Sequence, residues 1–321
     1  MKKKKIIAFS VGAVFGILLV GLYIASNFML QFSLNPYEGE RTFVEKESLE
    51  KMEQNYPGLV AWQDSLRSLD VLRDTFVVNP DGVRLHAFYA AHPDSVPVTQ
   101  TAICVHGYGN CAIEMFHIAR MYYQDLHFNI LVPDLHYHGL SEGESIRMGW
   151  LDRLDVLQWM KVAEGIFPDA QLVVHGISMG AATTMMVSGE EQTTNVKCFI
   201  EDCGYTSVWD EFKSELKNQF SLPAFPLMYT TSWLCKLRYG WSFQEASALE
   251  QVKKCKFPML FIHGDQDTFV PTWMVHPLYE AKSEPKELWI VPGVDTHAWS
   301  YRMHPEEYTE KVRAFTQKYM R

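Results

Sequence analysis

Apolar residues follow three patterns along the chain: one long uncharged run, a short amphipathic stretch, and many short runs separated by helical segments. The long run extends from Ile6 to Leu30 and follows four lysines, Lys2–Lys5. A helix of about 25 residues, rising roughly 1.5 Å per residue, is long enough to cross a hydrocarbon core of about 30 Å. The pattern therefore predicts a transmembrane anchor over residues 1–30.

The lysines before this run predict its orientation. Because Lys and Arg stay on the cytoplasmic side of a membrane, we expect a single-pass anchor in the cell membrane, with the rest of the chain on the extracytoplasmic side. A cleaved signal peptide is the alternative, and Ala25-Ser26 is its candidate cleavage site.

Residues 31–70 are expected to connect the anchor to the main domain. The polar stretch Asn35–Glu47 contains proline and glycine and predicts a linker. Helical spacing between Ser48 and Asp70 predicts one or two short helices, broken at Pro57-Gly58. Four apolar side chains at that spacing are expected to pack on the main domain: Leu59, Trp62, Leu66 and Leu69.

From residue 71 to residue 321, short apolar runs alternate with helical segments, which predicts an α/β domain with a mostly parallel central sheet and helices on both faces. The first two runs flank an Asn-Pro-Asp-Gly turn and predict an N-terminal hairpin. The alternation stops at about residues 208–250, where large apolar residues predict an inserted helical cap. Strands are expected at Thr75–Val78, Arg84–Ala90, Thr101–Val105, Asn129–Val132, Leu172–Val174, Val196–Glu201, Met259–Ile262 and Glu287–Val291, and helices at about 112–123, 148–166, 181–187 and 305–319.

One strand of this series leads into Gly176-Ile177-Ser178-Met179-Gly180, and helix-forming residues follow. Strand, sharp turn and helix are the context of a nucleophile elbow, which holds a serine hydroxyl clear of the sheet. Glycines on both sides are needed where a side chain would collide with neighbouring backbone. Ser178 is therefore the candidate nucleophile, and the alternative is a serine in an ordinary turn.

Two later strands end beside possible partners for Ser178. His297 can accept the serine proton and pass it to the leaving group, and Asp267 can orient the imidazole. The order Ser, Asp, His along the chain is the order expected for this architecture. Asp265 and Asp202 remain alternatives to Asp267, because each also follows a strand.

Two backbone N–H groups are candidates for an oxyanion hole. One belongs to Met179, the residue after the nucleophile, and the other to Tyr108, in the loop after an earlier strand. The alternative for Tyr108 is an ordinary loop between a strand and a helix.

Composition excludes several other classes of function. The formal net charge of −9 argues against nucleic-acid binding. The six cysteines form no Cys-x-x-Cys pair, so no zinc site is predicted.

Asp134, His136 and His138 crowd one loop, where we expect a turn tied by side-chain hydrogen bonds rather than a metal site. We predict neither a metal nor a cofactor.

Several motifs, taken in their order along the chain, resemble those of the serine-dependent α/β-hydrolases. The resemblance is greatest to the membrane-tethered bacterial proteins of the BEM46-like and cinnamoyl-esterase-like branch. The resemblance covers about residues 70–321 and implies an α/β-hydrolase fold with Ser178 as nucleophile, Asp267 as acid and His297 as base, without a cofactor. The motifs that carry it are His106-Gly107-Tyr108-Gly109, Pro133-Asp134-Leu135, His138-Gly139, Gly176–Gly180, Glu201–Ser207, His263–Asp267 and His297. Two loops depart from the usual pattern, Leu135–Gly139 and Val294–His297, which we expect to alter the mouth of the pocket.

The expected function is hydrolysis of a small or lipid-like acyl ester outside the cytoplasm. Because the fold hosts esterases, lipases and peptidases, a peptidase or amidase on the same side chains is the alternative. Glu211, Glu215 and Glu245 in the cap are available to bind a substrate amino group. A non-catalytic binding module with this fold is a third hypothesis.

Overall fold

The computed structural model describes residues 2–36, 45–93 and 98–320. Its first helix, α1, extends over Lys2–Leu34 and so continues past the uncharged run that predicted it. The middle of the predicted linker, residues 37–44, lies outside the described residues. Beyond it, α2 (Glu45–Asn55) and α3 (Leu59–Ser68) lie on either side of Pro57-Gly58, where the sequence predicted a break.

Three of the four apolar residues predicted to pack on the main domain do so. Leu59, Trp62 and Leu66 are buried in the core. The prediction is wrong for Leu69, whose side chain is 69% exposed. Because Leu69 is the residue that caps the C-terminus of α3, it no longer follows the helical periodicity that places the other three on one face.

An eight-stranded sheet forms the centre of the domain, in the strand order β1-β2-β4-β3-β5-β6-β7-β8. Strands β1 and β2 pair as an antiparallel hairpin, β2 pairs antiparallel with β4, and the remaining neighbours are parallel. The predicted α/β fold with a mostly parallel sheet is thereby confirmed. The strands are β1 (Leu72–Val78), β2 (Arg84–Ala90), β3 (Gln100–Val105), β4 (Asn129–Pro133), β5 (Gln171–Ile177), β6 (Val196–Asp202), β7 (Met259–Gly264) and β8 (Lys286–Val291).

Helices cover both faces of the sheet, as expected where parallel strands are joined by crossovers. The predicted helix over 112–123 is instead a 3₁₀ turn, a short α-helix and a π turn in succession. The remaining helices are α4 (Phe116–Arg120), α5 (Asp152–Ile166), α6 (Met179–Ser188), α7 (Val208–Phe220), α8 (Leu227–Tyr239), α9 (Ala248–Val252), α10 (Val275–Ala281), α11 (Ser300–Met303) and α12 (Pro305–Tyr319).

The core consists of one apolar cluster on each face of the sheet. Trp62, Phe116 and Tyr308 belong to one cluster, and Trp159 of α5 and Phe261 of β7 belong to the other. The last turns of α1 also enter the second cluster, because Leu30 and Leu34 are fully buried there. The end of α1 is thus part of the domain that follows it.

Candidate active site

Ser178 lies in a sharp turn between β5 and α6, with a φ of 59° and a ψ of −122°. A positive φ is strained for a residue with a side chain, and such strain is often found at functional sites. The two flanking glycines are required by close backbone contacts. A Cβ on Gly176 would collide with the carbonyl of Gly180, and a Cβ on Gly180 would collide with the carbonyl of Val105.

A chain of two hydrogen bonds links the three predicted site residues. The Nε2 atom of His297 lies 2.7 Å from Oγ of Ser178, and its Nδ1 atom lies 2.7 Å from Oδ2 of Asp267. The buried Asp267 carboxylate also accepts hydrogen bonds through Oδ1 from the backbone N–H groups of Phe269 (3.0 Å) and Val270 (3.1 Å). These contacts fix the orientation of the carboxylate, so that its other oxygen, Oδ2, faces the imidazole of His297.

The two alternatives to Asp267 make hydrogen bonds elsewhere. Asp265 is exposed and accepts a bond from the backbone N–H of Val294 at 3.2 Å. Asp202 is buried and accepts bonds from the hydroxyls of Ser300 (3.1 Å) and Tyr308 (3.0 Å). Burial raises the pKa of Asp202 to about 7, while these two hydrogen bonds oppose that shift. The geometry therefore brings Asp267, and not its alternatives, to His297.

Both predicted oxyanion residues lie beside Ser178. Met179 is the first residue of α6, and the first N–H groups of a helix lack partners within it. The loop after β3 approaches the nucleophile so closely that a Cβ on Gly107 would lie 3.3 Å from Cβ of Ser178. Tyr108 follows in that loop, and its hydroxyl donates a hydrogen bond to the carbonyl of Ser33 in α1, at 3.0 Å.

The loop after β4 is tied by side-chain hydrogen bonds, which confirms the prediction for Asp134. Its carboxylate accepts bonds from the backbone N–H groups of Ala112 (2.7 Å) and Leu140 (2.9 Å), and lies 2.7 Å from Nδ1 of His86. His136 and His138 each place Nδ1 within 3.0 Å of a backbone carbonyl. The loop therefore supports the carboxyl ends of the strands beside the site.

One group of possible metal ligands occurs among the described residues: Cys203, Asp267 and His297, whose ligand atoms lie within 4.8 Å of one another. Burial raises the pKa of the Cys203 thiol well above its ordinary value, whereas a metal would need the thiolate. A metal would also compete with Ser178 for the imidazole. The arrangement suits proton transfer between Ser178 and His297 better than metal binding.

A cavity of about 760 Å³ opens above Ser178, and we call it the cleft. Its walls are mostly apolar and come mainly from two regions: the cap, defined as residues 208–250, and the end of α1. The cap itself was predicted from the sequence, but the part of the wall that α1 forms was missed. Six of the side chains that line the cleft are Phe28, Phe32, Phe212, Phe220, Leu227 and Phe243.

Polar residues near the end of the uncharged run were the available signal for the missed wall. Ser26, Asn27 and Gln31 interrupt an otherwise apolar sequence, as expected where a helix leaves lipid and meets protein. Ser26 and Asn27 bond to α8, and Gln31 lines the cleft.

Two of the three acidic cap residues considered above line the cleft. Glu211 is buried there, and burial raises the pKa of its carboxyl well above the ordinary value, with further contributions from Glu215 and Asp267. Glu215 also lines the cleft, where it accepts a hydrogen bond from Gln219 at 2.6 Å. Glu245 is not among the lining residues and instead pairs with Lys236 at 2.9 Å.

The second half of the chain matches a known protein family. The sequence profile of the prolyl oligopeptidase family, peptidase S9, matches residues 148–321. This stretch contains the elbow, the cap, Asp267 and His297. Over most of its length the chain is also similar to uncharacterized protein YqkD of Bacillus subtilis, with 28% identity over 255 residues, which cover 78% of this chain and 82% of that protein.

Solved structures with the same fold include both esterases and peptidases. Esterase Pf2001 of Pyrococcus furiosus has a TM-score of 0.63 and 22% identity, over 80% of this chain and 96% of that chain. A puromycin-hydrolyzing peptidase of Mycobacterium tuberculosis has a TM-score of 0.62 and 18% identity, over 78% of this chain but only 39% of that chain. The fold is thus that of the α/β-hydrolase superfamily.

Proposed function

The chain belongs to the prolyl oligopeptidase family and is a serine hydrolase, and from this premise we propose that it is a membrane-anchored carboxylic ester hydrolase. The observation that carries the proposal is the hydrogen-bonded series Ser178–His297–Asp267 at the floor of a mostly apolar cleft. Small molecules are the substrates that such a site suits.

Acylation begins when Ser178 Oγ attacks the ester carbonyl carbon and its proton moves to Nε2 of His297. Asp267 stabilises the imidazolium through the bond to Nδ1. As the tetrahedral intermediate collapses, the C–O bond to the alcohol breaks and His297 returns the proton to the departing alkoxide. The products of this half-reaction are the free alcohol and an acyl ester on Ser178.

Deacylation repeats these steps with water in place of serine. His297 accepts a proton from the water as the water oxygen attacks the acyl carbon. It then returns the proton to Oγ of Ser178 as the acid leaves. In both halves the negative charge on the carbonyl oxygen is expected to meet the N–H groups of Met179 and Tyr108. The positive end of the α6 dipole favours charge at the same point.

The lining of the cleft favours an ester with an apolar acyl group. Phe212, Phe243 and Leu227 offer no hydrogen bonds to a peptide backbone, whereas burying an unpaired peptide group costs free energy. An acyl chain gains from burial against these side chains in proportion to the area removed from water.

We propose that α1 anchors the enzyme in the cell membrane, with the catalytic domain on the extracytoplasmic side. Gly12–Leu34 is long and apolar enough to cross a membrane, and lysines precede it. Membrane fractionation with N-terminal sequencing tests this part of the proposal. Recovery of the protein in the soluble fraction with Ser26 as its first residue would show that the N-terminal segment is a cleaved signal peptide and not an anchor.

The ester hydrolase is tested with full-length protein in detergent and a panel of p-nitrophenyl esters of increasing acyl length. We expect turnover that increases with acyl length, and in Ser178→Ala a kcat lower by about 10⁴ or more. A fluorophosphonate probe should label the wild-type protein and not the variant. Absence of turnover above Ser178→Ala across the panel would reject the proposal.

A peptidase or amidase is the second candidate, and the carboxyl groups in the cleft favour it. Glu211 and Glu215 could bind a substrate amino group beside Ser178. Glu211→Gln separates the two functions, with Glu245→Gln as the control outside the cleft. For a peptidase, Glu211→Gln should raise KM for substrates with a free amino group by about 10²-fold, as expected for a lost buried charge pair. For an ester hydrolase, both variants should retain turnover of apolar esters within about an order of magnitude.

A further inference from the structure

The end of α1 in the domain fixes which part of the helix is available to lipid. Leu30 and Leu34 are buried in the core, and the backbone N–H of Ile146 donates a hydrogen bond to the carbonyl of Leu34 at 2.7 Å. Among the side chains that the structure describes, Ser26 is the first along α1 that is buried. The uncharged residues from Ile6 to Ala25 would span about 30 Å as a helix, which is the thickness of a hydrocarbon core. The domain therefore begins where the membrane ends.

Helix α8 packs against α1 at this boundary. Ser26 Oγ lies 2.6 Å from Oγ1 of Thr230, and Arg238 donates a hydrogen bond to Oδ1 of Asn27 at 2.8 Å. Two positions eight residues apart on α8, or about 12 Å along its axis, thus contact adjacent residues of α1. Helix α8 therefore contacts α1 at the level where the span meets the domain, which places α8 beside the membrane surface.

The outer face of α8 carries an apolar stripe that remains largely exposed among the described residues. Tyr229, Trp233 and Leu237 of α8 follow at intervals of four residues, and Phe225 precedes the helix at the same interval; the four side chains are 53–73% exposed. Tyr229 is next to Thr230, which contacts α1, so the stripe borders the membrane helix. Aromatic residues of this kind are enriched at membrane surfaces, and a contiguous exposed apolar patch marks an interaction site.

The mouth of the cleft opens beside the same helix. Phe28, Phe32 and Phe220 line the cleft and are also 36–57% exposed, which places them at its rim. The rings of Phe28 and Phe32 are 6.2 Å apart, and those of Phe32 and Phe220 are 5.5 Å apart. Val20 and Ile24, also exposed, continue the four-residue spacing of Phe28 and Phe32 back along α1. A continuous apolar surface thus leads from the lipid-exposed length of α1 to the rim.

We propose that the enzyme takes its ester from the membrane itself: the substrate is an acyl lipid whose chain passes from the bilayer along α1, over the rim and into the cleft. In this arrangement the stripe on α8 rests in the lipid headgroup region and holds the mouth at the membrane surface. The inference rests on the proposed ester hydrolase and adds the source of its substrate. An acyl chain that enters in this way never crosses water, so the cost of exposing it is avoided.

The test compares one ester in the membrane with one in water, using full-length protein reconstituted in phosphatidylcholine vesicles. The membrane substrate is a palmitoyl ester of resorufin in the same vesicles, and the soluble substrate is p-nitrophenyl butyrate. The test variant, Trp233→Gln combined with Leu237→Gln, makes the stripe polar at exposed positions where folding should not depend on the side chain. Leu69→Gln is the matched control, because Leu69 is as exposed as Leu237 but lies at the end of α3.

We expect the stripe variant to lower turnover of the palmitoyl ester by about tenfold or more, because affinity for the interface scales with the apolar area that is buried. Its turnover of p-nitrophenyl butyrate should stay within about twofold of wild type, and Leu69→Gln should change neither rate. Brominated lipids should also quench tryptophan fluorescence less in Trp233→Phe than in wild type.

Three results would overturn the inference, and they differ from failure of the proposed function. If wild type hydrolyses the soluble ester but not the membrane ester, the source of substrate is wrong while the ester hydrolase stands. Equal loss of both activities in the stripe variant, or unchanged quenching in Trp233→Phe, would show that α8 does not rest on the membrane. If wild type hydrolyses neither ester above Ser178→Ala, the proposed function fails and the inference fails with it.

Discussion

The floor and the walls of the cleft are built in different ways. The floor lies at the ends of β5, β7 and β8, where Ser178, Asp267 and His297 are joined by short hydrogen bonds and fixed by neighbouring backbone. The walls come mainly from the cap and from α1, whose side chains meet mostly through apolar contact. A small shift at the floor breaks a hydrogen bond, whereas the walls can adjust, so we expect losses of rate at the floor and losses of stability or affinity at the walls.

The largest expected effect is at the floor. Asp267→Asn should lower kcat by about 10⁴, because an amide NH₂ facing His297 favours the wrong tautomer of the imidazole. Asp265→Asn is the matched control two residues away: its side chain is exposed, and an amide oxygen can still accept the bond from Val294. Steady-state kinetics with a p-nitrophenyl ester measure both variants. Similar losses in the two variants would show that the turn, and not Asp267, limits the reaction.

The same contrast explains what the sequence could predict. Chemistry dictates the floor, since a nucleophile elbow needs glycines at fixed positions around Ser178 and the triad order follows the strands. The sheet, the hairpin and the last helix were predictable because apolar periodicity and turn residues specify them locally. Apart from the order of the triad, each of these signals lies within a short stretch of the chain.

The walls could not be predicted in this way because many apolar side chains can line a cavity. Phe28 belongs to an uncharged run that looks lipid-facing, and Phe32 directly follows that run, while composition alone does not distinguish lipid from a protein core. Leu69 shows the opposite error, because its spacing suggests a buried face although the helix has already ended. Which helix face contacts which partner depends on the tertiary fold.

A smaller effect is expected within α1, where two leucines have opposite surroundings. Leu30 is fully buried in the domain core, and Leu18 is 64% exposed. Leu30→Ala should lower the free energy of unfolding of the domain by about 2–5 kcal/mol, through lost burial and the cavity left behind. Leu18→Ala should change it by less than about 0.5 kcal/mol. Denaturant unfolding of full-length protein in detergent measures both, and equal effects would mean that the end of α1 is not part of the core.

The next prediction concerns Glu211, whose pKa is raised chiefly by burial. As the pH rises past the ordinary glutamate pKa of 4.5, this carboxyl ionises in the unfolded chain but stays protonated in the fold. The unfolded state is therefore favoured increasingly until the pH reaches the folded pKa. Glu211→Gln removes this titrating carboxyl. The difference in free energy of unfolding between the variant and wild type should therefore shift in favour of the variant as the pH rises above 4.5.

Glu245→Gln is the control of opposite sign. Although burial acts to raise the pKa of Glu245, hydrogen bonds from Lys236 and Ser242 lower it overall. The stability that this pair contributes is present above the ordinary glutamate pKa and is lost as the pH falls through the folded one. Glu245→Gln should therefore become less stable than wild type as the pH rises. Denaturant unfolding across the pH range measures both variants, and parallel curves for wild type and Glu211→Gln would contradict the raised pKa.

The smallest effect is expected at one hydrogen bond between α1 and α8. Ser26 is buried and its hydroxyl meets that of Thr230, which also bonds to the carbonyl of Leu227 at 2.9 Å. Ser26→Ala leaves Thr230 with this second partner, so the variant should lose only about 1 kcal/mol of unfolding free energy. Ser68→Ala, at an exposed hydroxyl in α3, should lose less than about 0.5 kcal/mol. Because Ser26 joins the two walls, its variant should also raise KM for a long-chain ester more than it lowers kcat. A change in kcat alone would mean that the walls act on the floor directly, and the division between the two regions would not hold.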